Sequence, residues 1–157
     1  MEMMYALRKA CHLELAALKD ACSGYGNARK AGGADLGHIY CKQSKFAASH
    51  AAFREALELC TELGHRRGIA RTLEGTACLV AASGDTARAL TLAAAADHLR
   101  NQIGAPLPPA ERNKLEGGLS AAREMRDSRK GEAAWEKGLE MPLQAAILFA
   151  FEQPPLS

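Results

Sequence analysis

The sequence predicts an all-α fold: a right-handed stack of antiparallel helix pairs, closed at its C-terminal end by a helical cap. Three observations predict it. Helical runs flank Ser83-Gly84-Asp85, Arg67–Ala82 before it and Ala87–Ile103 after it, and neither run holds a proline. Gly84 can take φ > 0 without a Cβ penalty and Asp85 can cap the following helix, so the dipeptide reads as a tight turn. The same layout recurs forty residues earlier: Ser44-Lys45 answers Gly84-Asp85, Ala47 answers Ala87, Leu59 answers Leu99, and Gly64 answers Gly104, with Gly24 extending the series. A helix-pair unit at a fixed period of that length marks a repeat stack. Composition agrees: 48% of the residues are hydrophobic but only 5% aromatic, and much of the apolar share is alanine. Alanine favours helix and lets helices approach closely. No Val/Ile/Thr-rich alternating run argues for strands.

Taken in order, Met3–Cys22 reads as one helix, with Met4, Leu7, Cys11, Leu15, Leu18 and Cys22 on one apolar stripe. Shifted by forty residues it overlays Gln43–Glu62, so it reads as the second helix of a repeat whose first helix is missing. That leaves an apolar N-terminal face: either the chain is a piece of something longer, or this end is expected to bind a partner or a second copy of the chain. Ser23–Asp35 is glycine-rich, and the next helix is expected to be short and to start near Asp35. Gln43–Gly64 is a strong helix with Phe46, Phe53, Ala56, Leu57, Cys60 and Leu63 inward. Arg67–Ser83 and Thr86–Ile103 form the next pair. Pro106, Pro108 and Pro109 then break the pattern. A helix from Pro109 carries Leu115, Leu119, Ala122 and Met125 on its buried face and is softened by Gly117-Gly118. Glu132–Lys137 holds the only tryptophan, Trp135, expected as a core anchor of the cap. Pro142 suits the first turn of a last helix, with Leu143, Ala146, Ile147 and Phe151 inward. The domain reading is thus residues 1–104 for the repeats and 105–157 for the cap.

The net charge of +2 is too small to imply a nucleic-acid partner. Local basic groups, His65-Arg66-Arg67 with Arg71 and Arg123–Lys130, read as solvated helix ends. Five cysteines, none in a Cys-x-x-Cys pair and all within helical patterns, point to reduced thiols and a cytoplasmic location. No stretch approaches the ~20 apolar residues that span a bilayer, so no membrane is expected.

Nothing in the pattern points to catalysis. No Gly-x-Ser-x-Gly elbow accompanies the five histidines, and no nucleophile, base and orienting group line up. His38 and Cys41 share a helical face, and Cys78 lies forty residues beyond His38, but three such residues fall short of a structural zinc set. No metal or cofactor is expected.

Gly37 and Tyr40 with Phe53 and Ala56, and Leu73 and Ala77 with Gly84, Ala89 and Ala96, resemble tetratricopeptide repeats. Their forty-residue form is similar to the variety in MalT-like and other LuxR-type regulators, to which the phrase Glu62-Leu63-Gly64-His65-Arg66-Arg67-Gly68-Ile69-Ala70 is also similar. Ala95–Arg100, Ile103–Arg112 and Ala133-Ala134-Trp135-Glu136-Lys137-Gly138 resemble the C-terminal end of bacterial signal-transduction ATPases. The resemblance spans roughly residues 34 to 152. In tetratricopeptide arrays the first helix of each pair lines the concave side, so the resemblance implies a groove presenting His38, Cys41, Lys42, Arg71, Glu74 and Cys78. A peptide or helix lying there would meet Lys42 and Arg71, which suits an acidic group or a terminal carboxylate. The same resemblance implies a non-catalytic protein-interaction module at the sensory end of such a regulator; the alternatives are a self-associating structural module or a repeat domain that senses a small inducer. The chain departs from the pattern at Gly32-Gly33, at Arg126-Asp127 in place of Leu-Gly, and at Gly131 in place of phenylalanine. No Gly-x-x-x-x-Gly-Lys-Ser/Thr loop is present, so no ATPase function carries over.

Overall fold

A computed structural model of the chain describes residues 32–152, with the backbone alone at 32–36 and 151. Among the described residues every regular element is a helix: α1 (Gly32–Lys42), α2 (Phe46–Glu62), α3 (Arg66–Ala82), α4 (Thr86–Ile103), α5 (Pro109–Gly118), α6 (Ser120–Arg126), α7 (Arg129–Glu140) and α8 (Leu143–Phe151). The all-α expectation holds. The expected helix Met3–Cys22 and its association face lie outside the described residues. No described helix is long and apolar enough to cross a membrane.

The first four helices keep a strict beat. Each is closed by a residue with positive φ, at Ser44 (58°), Gly64 (64°), Gly84 (98°) and Gly104 (65°). The spacing is twenty residues, half the forty-residue period legible in the sequence. At each closure the following residue, at 45, 65, 85 and 105, donates its N–H back to the carbonyl of Tyr40, Cys60, Val80 and Arg100, at 2.9–3.1 Å. The positive-φ residue donates to Cys41, Thr61, Ala81 and Asn101. These paired bonds satisfy carbonyls that the helix end leaves without a partner, and glycine reaches the required conformation at least cost. Helices of 17 or 18 residues joined by such turns reverse the chain every twenty residues.

Each of these helices packs on the one before it, and α1 also reaches α3. The core between them is built from Leu57, Leu73, Leu92 and Leu99 set among alanines; Ala56 is 3% and Ala96 0% exposed. The largest side chain in it, Phe53, occupies a slot made by absence. A Cβ on Gly37 would lie 2.8 Å from the Phe53 ring, and one on Gly75 would lie 2.3 Å from it. Glycines on α1 and α3 therefore admit one ring from α2, which keys the first helix pair onto the second.

α7 lies along α4, and again glycines set the distance. A Cβ on Gly138 would meet the Thr91 carbonyl oxygen at 2.2 Å, and one on Gly131 the Met125 carbonyl oxygen at 1.8 Å. Phenylalanine at 131, the residue the resembled family has, would strike main chain here. Thr91 Oγ1 adds a bond to the Ala134 carbonyl at 3.0 Å. α8 packs against α2, α3 and α4, with Ala146, Ile147 and Ala150 joining the main core. Arg88 holds its C-terminal end by donating to the carbonyls of Phe149 (2.6 Å) and Glu152.

At the second and third closures the following residue also caps the next helix with its side chain. Asp85 Oδ1 accepts from the Arg88 N–H at 3.2 Å, and His65 Nδ1 accepts from the Gly68 N–H at 2.9 Å. The second cap works only while Nδ1 is unprotonated. Burial, then the charge of Arg67, hold the His65 pKa below its ordinary 6.5. A histidine depressed in the fold stabilises it fully above the unfolded value, and that contribution is lost as pH falls through the lower folded value. His65→Ala should therefore cost about 1 kcal/mol at neutral pH. In thermal melts the gap between wild type and variant should close as the medium is acidified below 6.5.

Candidate functional site

Two reversals separate α1 from α3, so these helices run in the same direction with their faces side by side. The six residues expected to line a groove divide on this surface. His38 is half-buried and meets the Phe53 ring edge-on, centroids 5.2 Å apart at 88°. Cys41 is half-buried beside the Phe53–Leu79 cluster, and burial raises its thiol pKa. The Cys78 thiol is pushed up to about 12, first by burial and then by the neighbouring Cys41 and Glu74. His38, Cys41 and Cys78 thus share one neighbourhood. Neither thiol is primed as a nucleophile, since the thiolate is the reactive form.

Lys42 is exposed and Arg71 half-buried. They stand at opposite ends of the face: forty-residue register equates Lys42 with Ala82, eleven residues along α3 from Arg71, or roughly 16 Å at helical rise. One carboxylate cannot bridge both. An extended segment of about five residues can, at ~3.3 Å per residue.

Glu74 does not belong to that open face. It is 7% exposed and is held from α4 by Arg100, itself 7% exposed. Arg100 donates to both carboxylate oxygens, through Nη2 to Oε2 at 3.0 Å and through Nε to Oε1, and its Nη1 reaches the Ala105 carbonyl at 3.2 Å. Burial raises the Glu74 pKa, opposed by Arg100 and Arg71. Among the described residues no three His, Cys, Asp or Glu side chains gather to hold a metal ion.

A second concavity was not anticipated from the sequence. A cleft of about 280 Å³ opens where the stack meets the cap, between α4 on one side and α5, α6 and α7 on the other. Leu90 and Ala93 of α4 form its buried side, with Leu115, Leu119 and Trp135 opposite. Charged groups stand at the rim: Asp97, Arg112, Glu116, Arg123 and Arg126, with Glu74 reaching the inner end. Glu116 is paired with Arg123 at 3.6 Å. Arg126 lies over the Trp135 ring, 4.6 Å from its centroid. Trp135 also packs with the Leu90–Ala122–Ala134 cluster, so it anchors the cap and lines the cleft at once.

Along the cleft the helix from Pro109 is broken. α5 ends at Gly118 and α6 starts at Ser120. Gly118 comes so near Cys78 that a Cβ there would lie 2.4 Å from Sγ. Gly117-Gly118 in a helical run was the available signal; the sequence shows it as a soft point, not as a break beside a cavity. Comparison of the chain with protein-family models, with curated proteins and with solved structures finds no match in any of the three.

Proposed function

We propose that this chain is a non-catalytic protein-interaction module of the tetratricopeptide-like kind, akin to the sensory end of LuxR-type or ATPase-linked regulators, and that it captures a partner segment along the α1–α3 face. One observation carries this. Two helices of like direction lie side by side, with His38, Cys41 and Cys78 between them and cations, Lys42 and Arg71, at the two ends. Such a face suits an extended segment bearing carboxylates about five residues apart. The twenty-residue beat of left-handed closures supports the repeat assignment, since a stack of identical hairpins needs the same turn at every step.

Selection from a phage-displayed random peptide library tests it. Peptides enriched on the wild-type chain should carry two acidic positions four to six apart. They should bind the double variant Lys42→Glu, Arg71→Glu at least about tenfold more weakly, as charge-assisted bonds turned to repulsion require. Undiminished binding to that variant removes the face as the site.

A further inference from the structure

Ile39 on α1 is 50% exposed, whereas Leu79, its counterpart one forty-residue period on, is 3% exposed. The difference lies in what precedes each helix. Leu79 is covered by Phe53 of α2, with Phe46 and Cys41 packed against the pair. The residues that answer Phe46 and Phe53 forty positions earlier are Ala6 and Leu13. Both belong to Met3–Cys22, the segment ahead of the described residues.

Register, reach and residue type together say what covers Ile39. The closures at 44, 64, 84 and 104 step back to 24, and residue 24 is glycine. A chain reversal there sets the preceding segment against α1 as α2 is set against α3. Residues 23–31 join the two and can span roughly 30 Å at ~3.3 Å per residue. Leu13, Ala16 and Ala17 answer Phe53, Ala56 and Leu57, all buried on α2. Lys9, His12 and Asp20 answer the buried Ser49, Ala52 and Cys60, so the match is local and centres on Leu13–Ala17. We propose that the Met3–Cys22 segment of the same chain docks on α1 in the repeat register, with Leu13 seated over Ile39. Leu7, Cys11 and Leu18 then face away, because they answer Ala47, Ala51 and Glu58, which are exposed on α2. This docking rests on the twenty-residue beat and not on partner capture, so failure of the peptide selection leaves it standing.

Methyl nuclear Overhauser spectroscopy on the full chain, with only isoleucine δ1 and leucine methyls protonated, tests it. The Ile39 methyl, identified by the peak lost in Ile39→Val, should give a cross-peak to Leu13, identified likewise by Leu13→Met. Mixing the labelled chain into an excess of deuterated chain should leave that cross-peak unchanged relative to its diagonal. A cross-peak lost on mixing puts the segment of a second copy on Ile39 and overturns the proposal. Cross-peaks from Ile39 to Leu7, Leu15 or Leu18 without Leu13 overturn it too, as does an Ile39 methyl that meets no leucine of the segment. Ile39→Lys gives a second reading. A substitution in open solvent leaves stability nearly unchanged, so a urea midpoint well below wild type is expected and an unchanged one overturns the proposal.

Discussion

Arg100→Met should destabilise the fold by about 3–5 kcal/mol, the scale set by stranding one member of a buried ion pair. The partner left behind, Glu74, is only 7% exposed, so water replaces little of what Arg100 supplied. The bond from Arg100 to the Ala105 carbonyl goes too, and with it a tie across the turn at Gly104. Replacing both members tells more. Glu74→Leu with Arg100→Met removes the desolvation of two charges, and a well-packed apolar pair commonly equals or exceeds the ion pair it replaces. The double variant should recover most of the loss in urea titrations. The raised Glu74 pKa agrees, since it means that the cost of burial outweighs the attraction of Arg100.

The Phe53 slot gives the second large effect. Phe53→Ala should cost about 3–5 kcal/mol, because the side chain is 1% exposed and its cavity is walled by two backbones that cannot easily close in. Gly75→Ala carries the sharper sign. In an open helix, glycine to alanine stabilises by about 0.5–1 kcal/mol. Here the new methyl would sit 2.3 Å from the Phe53 ring, and overpacking of that kind costs about 1–3 kcal/mol. The two changes should not add. In Phe53→Ala, Gly75→Ala the clash is gone and the methyl fills part of the void, so the double variant should be more stable than the sum of the singles predicts.

Much of this fold was legible because its turns are local chemistry. Ser44, Gly64, Gly84 and Gly104 announce themselves through residue type and spacing, and Asp85 through its capping side chain. Alanine-rich runs between them leave little besides helix. Pro142 and the inward positions Ala146 and Ile147 were likewise readable from one strand of sequence, though the side chain of Phe151 lies outside what is described. What escaped depends on partners far along the chain. α1 already covers Gly32 to Ala34, ahead of the expected start near Asp35; propensity is a weak prior. Glu74 has groove spacing, but Arg100, twenty-six residues on, draws it into the interior. Gly131 and Gly138 look like weaknesses in α7 until the main chain of Met125 and Thr91 is set against them. The cleft is the extreme case, since its lining comes from five helices and no single period links them.

The keying of one helix pair onto the next is most directly tested by nuclear Overhauser spectroscopy on chain with its phenylalanine rings selectively protonated. Phe53 ring protons should give cross-peaks to the α protons of both Gly37 and Gly75, and those α protons should be shifted by the ring current. Cross-peaks to Gly37 without Gly75 would mean that the second helix pair does not lie against the first, and the stacked architecture would be wrong.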